Sequence, residues 1–292
     1  MKKYTVSVLT HHRDAMLKVC IDSLLKMRVR PNEILVIDQN PTDRLRKEIF
    51  RYGVRNKDIR FTYIFTENAH IAKGRKKAME TARYDYLLFT DDDCTVDRDW
   101  SYHALRALST KHPLVAGKCL RDMTNDTLVS RTLHEQTERF FSMYKTKTKG
   151  GRIKSYLMDP KNCAIDRSVA IKKKIMYDPQ QFWLEDMDFA FQAYIKKVPI
   201  LSEEKMIVKH MYAHTISHAI KSQFKLGWAF ETLFRRWRGA PRIRALYTYA
   251  SHKNMQNKEV SINRYNPLPL LFSLSRRAGY LFGTIRSFIF GT

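Results

Sequence analysis

Three adjacent carboxylates, Asp91, Asp92 and Asp93, directly follow the apolar, strand-like segment 84–90. Neighbouring carboxylates repel one another unless a cation or hydrogen-bond donors neutralise them. Their oxygens suit a hard divalent ion such as Mg²⁺ or Mn²⁺, which commonly bridges protein carboxylates and a substrate phosphate. A solvated acidic turn is the alternative, but an apolar strand leading directly into the cluster favours a binding site.

A second acidic group lies in segment 182–189, where Glu185, Asp186 and Asp188 stand among bulky apolar residues. Apolar surroundings raise the pKa of a carboxylate toward the range that a general base needs. Carboxylates are equally typical of a first helical turn, where they interact favourably with the helix dipole. On this segment alone, both interpretations stay open.

The first hundred residues predict the elements that would hold these groups in place. Strand patterns occur at residues 4–10, 33–38, 59–65 and 84–90. Helical patterns lie between them, up to about residue 27 and at 42–52 and 70–82. This alternation indicates an α/β fold with βαβ units and a mostly parallel central sheet flanked by helices. Because ligands bind beyond the carboxyl ends of such strands, Thr10, Asp38 and Asp91 should share one crevice.

The middle of the chain, residues 96–215, has a mixed pattern. A helix is predicted near 128–144, and the stretch 145–154 follows it with five basic side chains, no acidic ones and two glycines. That composition is typical of a mobile loop.

The four cysteines and the amino-terminal residues bear on the compartment. The sequence contains no CxxC pair, and its cysteines are far apart, at Cys20, Cys94, Cys119 and Cys163. This spacing predicts scattered buried thiols in a reducing cytosol. The opening residues lack the apolar run of a signal peptide.

The charge is strongly positive and unevenly distributed. The chain has 53 Lys and Arg against 29 Asp and Glu, a net charge of +24. Such a field attracts nucleic acid, anionic lipid or phosphate-bearing substrates, and charge alone does not choose among them. Residues 216–292 contain 13 Lys or Arg and only two Glu. The segment 224–237 interleaves aromatic and basic side chains.

Segment 268–290 carries an apolar stripe at helical spacing. Its members are Leu271, Leu274, Ala278, Leu281, Phe282, Ile285 and Ile289. Arg276 and Arg286 face away from this stripe and Arg277 lies near its edge, which argues against a membrane-spanning helix. A basic amphipathic helix lying in a membrane interface fits better. The alternative is that the stripe packs on the protein's own core.

Six segments, in this order and spacing, resemble the family 2 glycosyltransferases of the GT-A fold over about residues 3–215. They are VSVLTHHRD, ILVIDQN, residues 67–75, the carboxylates 91–93, residues 161–167 and LEDMDFAF. Two positions depart from the family pattern. The acidic pair after the second strand is reduced to Asp38 and Gln39, and the glycine after Asn68 is replaced by Ala69.

The resemblance implies a Rossmann-like GT-A fold and inverting transfer from a nucleotide sugar, expected to be a UDP-sugar, with Mn²⁺ or Mg²⁺ as cofactor. The donor-binding residues that it implies are Thr10, Asp38, Arg75, Asp91 and Asp92. It makes Asp93 a metal ligand, with His210 a candidate ligand and His214 in reserve; a purely structural role for His210 is the alternative. It also implies that Asp186 takes the proton from the acceptor hydroxyl and that Glu185 helps to place the acceptor.

These inferences divide the chain by function. Residues 1–95 would bind the nucleotide sugar, residues 96–215 would bind the acceptor and carry the catalytic base, and residues 216–292 would form a basic helical extension. The basic extension favours a membrane-associated, lipid-linked glycan acceptor in polysaccharide or glycoconjugate biosynthesis. The protein would then be cytoplasmic and lie on the inner face of the cell membrane.

Two other classes of protein share some of these features. The pattern of Asp91, Asp93 and Thr95 also resembles the nucleophile motif of haloacid-dehalogenase-like phosphatases, which usually lies on the first strand rather than the fourth. A nucleic-acid-binding protein would explain the net charge. It would not explain acidic clusters at strand ends, so no nucleic-acid partner is expected.

Overall fold

The computed structural model of the chain describes residues 2–67, 70–256 and 266–290. These residues form two compact units. The first comprises the described residues within 2–120, 146–180 and 185–210, and the second those within 121–145, 181–184 and 211–290. Each unit has its own cluster of buried apolar side chains. The functional division at residues 95 and 215 stays a prediction.

One sheet gathers the strands of the described residues. They are β1 (Tyr4–Thr10), β2 (Glu33–Asp38), β3 (Arg60–Phe65), β4 (Tyr86–Asp91), β5 (Cys94–Val96), β6 (Leu114–Arg121), β7 (Lys145–Lys147), β8 (Ile153–Ser155), β9 (Cys163–Asp166) and β10 (Ile200–His210). Their order is β3-β2-β1-β4-β9-β6-β10-β8-β7, and β5 pairs with β10.

The α-helices of the described residues follow the same chain order. They are α1 (Asp14–Leu25), α2 (Arg46–Arg55), α3 (Ile71–Thr81), α4 (Trp100–Ala107), α5 (Leu128–Met143), α6 (Arg167–Lys172), α7 (Glu185–Ile195), α8 (Ile216–Trp237), α9 (Pro241–Gln256) and α10 (Leu268–Phe290). The helices predicted in the first hundred residues, near 128–144 and over 268–290 are all present, within a few residues at their ends.

The first four strands form the parallel part of the sheet. β1 pairs in parallel with β2 and with β4, and β2 pairs in parallel with β3. Every residue of β1 and β2 is buried, as expected for parallel strands covered on both faces. Beyond β4, the pairs β4–β9, β6–β9, β10–β8 and β10–β5 are antiparallel. The expected α/β fold with a central sheet flanked by helices is confirmed.

The prediction of a loop at residues 145–154 is wrong at both ends of the stretch, which are strands, and its mobility stays a prediction. This stretch contains β7, a turn and the first part of β8, and β8 pairs with β10. The amide of Thr148 donates to the carbonyl of Arg152 at 2.8 Å, and Gly151 adopts a φ of 77°, which favours glycine. Lysines are common on edge strands, so the basic composition is compatible with strand structure at the end of a sheet.

In the second unit, α8 and α10 approach each other closely through glycines. A Cβ atom on Gly227 would lie 1.9 Å from the carbonyl oxygen of Arg276. A Cβ atom on Gly279 would lie 1.9 Å from the carbonyl oxygen of Phe224. The hydroxyl of Ser275 also donates to the carbonyl of Ile220 at 2.8 Å. Only residues without a side chain allow the two backbones this contact.

Most of the apolar stripe of α10 is exposed, but Phe282 packs on α8, where its ring centre lies 5.2 Å from that of Trp228 and 5.6 Å from that of Phe224. Leu268 and Phe272 are buried, whereas the large stripe residues Leu271, Leu274, Leu281, Phe282, Ile285 and Ile289 are 37–62% exposed. Within the part of the chain that the structure describes, the stripe apart from Phe282 is therefore largely exposed rather than packed on a core. None of the described helices combines the length and the apolar composition that a membrane-spanning segment needs.

All four cysteines are buried and free of disulfide bonds, as their spacing predicted.

Candidate active site

The register of the parallel strands brings three predicted residues to one edge of the sheet. Thr10 is aligned with Asp38 across β1 and β2, and Leu9 is aligned with Asp91 across β1 and β4. All of them lie at or next to the carboxyl ends of their strands, where α/β sheets bind ligands. The turn after β4 then carries Asp92 and Asp93.

Asp92 connects the end of β1 to the acidic turn. Its Oδ2 accepts a hydrogen bond from the hydroxyl of Thr10 at 2.8 Å and one from the amide of His11 at 3.3 Å. Its Oδ1 lies 3.0 Å from a guanidinium nitrogen of Arg13. Burial and the neighbouring charge of Asp93 raise the pKa of Asp92 to about 7, although Arg13 and Thr10 act in the opposite direction. Asp92 is thus held inside the protein.

Asp93 lies between an arginine and a histidine. Its Oδ2 is 2.5 Å from Nη1 of Arg13, and its Oδ1 is 3.5 Å from Nε2 of His210. The antiparallel pairing of β5 with β10 sets Cys94 opposite His210 and so brings the histidine to the acidic turn. Burial would raise the pKa of Asp93, but interactions with His210, Arg13 and Lys161 outweigh it and hold the pKa well below its ordinary value.

Asp38 is fully buried at the end of β2. Its Oδ2 accepts a hydrogen bond from the hydroxyl of Tyr63 at 2.6 Å, and its Oδ1 accepts one from the amide of Asn40 at 2.9 Å. Burial of the Tyr63 hydroxyl against this carboxylate raises the pKa of Tyr63. Tyr63 therefore keeps its proton and remains a donor to Asp38.

Arg75 joins the two acidic groups that the sequence singles out. Nη2 of this buried α3 side chain lies 3.2 and 3.3 Å from the carboxylate oxygens of Asp91, and its Nη1 pairs with Glu185. Burial would lower the pKa of Arg75, but the charges of Glu185 and Asp91 keep it above the ordinary value. One guanidinium thus ties the end of β4 to the start of α7. Among the described residues, its Nε has no hydrogen-bond partner.

Glu185 and Asp186 stand in the first turn of α7. Burial, followed by the charges of Glu185 and Asp159, raises the pKa of Asp186 to about 7, while Arg75 acts in the opposite direction. A carboxyl group with a pKa near neutrality can take up and release a proton at physiological pH. Glu185 is also buried, and burial raises its pKa in spite of its pairing with Arg75.

The donor atoms near the acidic turn fit a divalent ion that shares its coordination shell with a substrate. Within the described residues, no group of three or more His, Cys, Asp and Glu side chains could hold a metal by itself. Asp93 and His210 provide an oxygen and a nitrogen 3.5 Å apart. Ions such as Mg²⁺ often take only one or two protein ligands and complete their shell with substrate phosphates and water.

Sequence reasoning missed Arg13, which contacts both Asp92 and Asp93. The available signal was a basic side chain three residues after β1, close to a strand end where carboxylates were expected to meet.

His214, the reserve metal ligand, belongs to the second unit, where its Nδ1 lies 3.1 Å from the side-chain amide nitrogen of Asn125. Residues 68 and 69, where the family glycine is replaced, lie outside the described residues.

Solved structures share this fold. The mannosyltransferase PcManGT from Pyrobaculum calidifontis, in complex with GDP-Man and Mn²⁺, has a TM-score of 0.65 at 13% identity, covering 99% of this chain and 88% of its own. TarS 1-349 of S. aureus in complex with UDP-GlcNAc has a TM-score of 0.60 at 16% identity, covering 96% and 79%. GalNAc-T7 with UDP, GalNAc and Mn²⁺ has a TM-score of 0.57 at 14% identity, covering 86% and 55%. This likeness defines the fold as GT-A.

The sequence assigns the chain to a family within that class. The family model for Glycosyl transferase family 2 matches residues 5–172, more than half of the chain. The chain belongs to glycosyl transferase family 2. It is also similar to EpsH of Bacillus subtilis (strain 168), whose name classes it with the glycosyltransferases, at 22% identity over 150 residues. That match covers 49% of this chain and 43% of EpsH, so the chain spans less than half of this relative.

Proposed function

We propose that this protein is an inverting glycosyltransferase that moves a sugar from a nucleotide sugar, expected to be a UDP-sugar, to an acceptor hydroxyl. The observation that carries the proposal is the Arg75 guanidinium, which joins Asp91, beside the acidic turn, to Glu185, beside Asp186. Inverting displacement needs a stabilised leaving group on one face of the sugar and a base on the other. Family membership and the geometry of the first unit together support it over a phosphatase or a nucleic-acid-binding protein.

The nucleotide sugar would bind at the carboxyl ends of the parallel strands. Asp91 and Asp92 would contact the donor, and Arg75 would lie on the side of the diphosphate. Thr10 and Asp38 would contact the base or the ribose. Because Asp38 is fully buried, this contact requires the hydroxyl of Tyr63 to release it. The hydroxyl of Tyr63 would thus keep water away from the Asp38 carboxylate until the nucleotide sugar replaces it.

The metal would be held by Asp93 and His210, the two donors that converge in the first unit. A bound Mn²⁺ or Mg²⁺ supplies positive charge that stabilises the departing nucleoside diphosphate. Arg13, paired with Asp93, is a second positive group at the same place. The GT-A structures of PcManGT and GalNAc-T7 with Mn²⁺ support a divalent ion.

The acceptor would bind near the first turn of α7. Asp186 takes the proton of the acceptor hydroxyl, whose oxygen forms a bond to the anomeric carbon. The bond from that carbon to the diphosphate oxygen breaks, the electron pair leaves with the nucleoside diphosphate, and the anomeric configuration inverts. Glu185 helps to place the acceptor and is itself fixed by Arg75.

A thermal-shift panel of nucleotide sugars, each with and without Mn²⁺, tests this function. A ligand present at 100 times its Kd adds about 2.7 kcal/mol of stability, roughly 4–5 °C for a chain of this size. We expect UDP-sugars to raise the melting temperature in the presence of the ion and much less in its absence. If no nucleotide sugar changes the melting temperature with either Mn²⁺ or Mg²⁺, the proposal is wrong.

The acceptor would be lipid-linked and reached from a membrane surface by the second unit. The stripe residues of α10 are exposed, and residues 216–292 carry 13 basic and two acidic side chains. Anionic lipid attracts each nearby Lys or Arg by about 1 kcal/mol, and an amphipathic helix adds the burial of its apolar face. Attachment to the inner face of the cell membrane follows from this proposal.

Replacing Leu281, Ile285 and Ile289 together by Glu should release the full-length protein from anionic liposomes in a flotation assay. These side chains are 49–62% exposed, so the change removes apolar insertion without opening a core. High salt should weaken attachment of the unchanged protein only in part, because salt screens the charges and leaves apolar burial intact.

A matched control replaces Val19, Phe50 and Val54, which are 55–72% exposed on α1 and α2, by Glu. It makes the same change in charge and should leave flotation intact. Equal flotation of both triple variants and the unchanged protein would show that the stripe does not contact lipid.

A further inference from the structure

The second unit contains a pocket formed by α8, α9 and α10. Its volume is about 400 Å³, and it is a shallow depression that is widely open to solvent. Four aromatic side chains and two arginines form most of its lining: Phe230, Phe234, Tyr247, Tyr280, Arg276 and Arg277. Among the described residues, this mostly apolar lining includes two cations and no acidic side chain. A partly buried charge is normally paired, so Arg276 lacks the partner that such a position usually provides.

Arg276 is the cation that needs an explanation. It is half-buried, and burial lowers the pKa of its guanidinium. In the described part of the chain, no neighbouring charge or hydrogen bond offsets this effect of burial on its pKa. Other arginines of the same helices do have partners: Arg235 pairs with Glu231 at 3.4 Å, and the guanidinium of Arg286 lies 5.0 Å from the ring centre of Trp228.

The backbone that carries Arg276 is fixed. Its carbonyl oxygen packs directly on Gly227, and the hydroxyl of the preceding Ser275 donates to the carbonyl of Ile220. The Cα atom of Arg276 is therefore held at the pocket, because its helix cannot slide along α8. A backbone fixed in this way limits how far the guanidinium can move from the pocket, which reduces the entropy lost when an anion binds.

The open side of the pocket borders the apolar stripe. Arg277 and Tyr280 are both exposed and line the pocket. On α10, Arg277 lies three residues after Leu274 and four before Leu281, so the three share one side of the helix. An occupant that places an anionic group at Arg276 would thus pass its apolar portion along the aromatic lining toward the stripe.

We propose that this pocket binds the phosphate of a single membrane phospholipid, with the phosphate at Arg276 and Arg277 and the first part of the acyl chains between the aromatic side chains. The proposal deepens the membrane attachment proposed above by naming its ligand, but it does not depend on glycosyl transfer. It also differs from diffuse attraction by basic residues, because it assigns the phosphate to two arginines of one pocket, of which Arg276 is the more buried.

Calorimetric titration of the full-length protein with dihexanoyl phosphatidate, below its critical micelle concentration, tests the proposal. A charge-assisted hydrogen bond to phosphate contributes enough that Arg276→Met should weaken binding at least about tenfold. Arg276→Lys, which keeps the charge, should retain most of the affinity. Arg286→Met makes the same charge change on the same helix outside the pocket and should bind as the unchanged protein does.

Three further arms separate the proposal from its rivals. Asp93→Ala should bind phosphatidate normally, so failure of the transferase proposal would not affect this result. Inorganic phosphate should bind far more weakly than phosphatidate; equal affinities would overturn the lipid assignment. Ser273→Phe should block binding by filling the pocket while leaving every charge in place, and it decides the question if Arg276→Met does not fold. Unchanged affinity in Ser273→Phe, or in a folded Arg276→Met, would overturn the proposal.

Discussion

Asp186→Asn should lower the rate of sugar transfer by about 10²- to 10⁴-fold, which is the typical contribution of a general base. Its affinity for the nucleotide sugar should not change, because Asp186 is proposed to act on the acceptor. The amide is nearly the same size and cannot take up the proton. Single-turnover rates and calorimetric donor titrations on the same preparation would measure both quantities.

The pH dependence gives this prediction a second, independent measurement. A base works only when it is deprotonated, and the pKa of Asp186 is raised to about 7 by burial and by Glu185 and Asp159. The wild-type rate should therefore rise about tenfold per pH unit below this pKa and level off above it. The residual rate of Asp186→Asn should lack this rise.

A control for general effects of a lost carboxylate is Asp58→Asn, at a side chain that is 59% exposed and paired with Arg30 on the surface. It should keep the wild-type rate and pH profile. If Asp186→Asn instead keeps full turnover, or loses affinity for the donor, then Asp186 is not the base. Glu185 would be the next candidate, since it occupies the adjacent position in the same helical turn.

The sequence predicted the positions of the acidic groups but not their partners. An apolar strand that ends on a carboxylate can be read locally, so Asp38 and Asp91 were placed at strand ends correctly. Their convergence also followed, because parallel strands have their carboxyl ends at one edge. Arg75 is 110 residues from Glu185 in the sequence, and their pairing depends on how α3 and α7 meet the sheet. No local sequence pattern predicts a contact between residues so far apart in the chain.

Helix α10 also shows which features a local sequence pattern predicts and which depend on tertiary packing. Helical periodicity predicted α10 and its apolar stripe, but periodicity cannot tell which face meets a neighbouring helix. In the structure, the face with Gly279 and Gly283 approaches α8, and the larger apolar residues remain exposed. Small residues on one face of a helix are the sequence signal for such a close approach. The sequence analysis considered only the larger apolar residues of α10, and so it did not predict the contact with α8.

Asp93→Ala should abolish metal-dependent donor binding while leaving the fold intact. Loss of a residue that merely orients a metal ligand costs about 10- to 100-fold in metal affinity, so loss of the ligand itself should cost at least about 100-fold. Asp93→Asn should fail almost as badly, because the amide has the shape of the carboxylate but not its charge. The fold should survive because Arg13 keeps its ion pair with Asp92 at 3.0 Å.

Calorimetry with UDP in the presence and absence of Mn²⁺ separates this effect from a general loss of nucleotide binding. The variants should differ from wild type only when the ion is present, since the carboxylate is proposed to act through it. Asp97→Asn, at an exposed carboxylate four residues further along, should behave as wild type under both conditions. His210→Ala should weaken the ion-dependent part less than Asp93→Ala, because it removes a neutral ligand and leaves the charged one. Equal ion-dependent affinity in wild type and Asp93→Ala would remove Asp93 from the metal site, and the pairing of Asp93 with Arg13 would then be its main role.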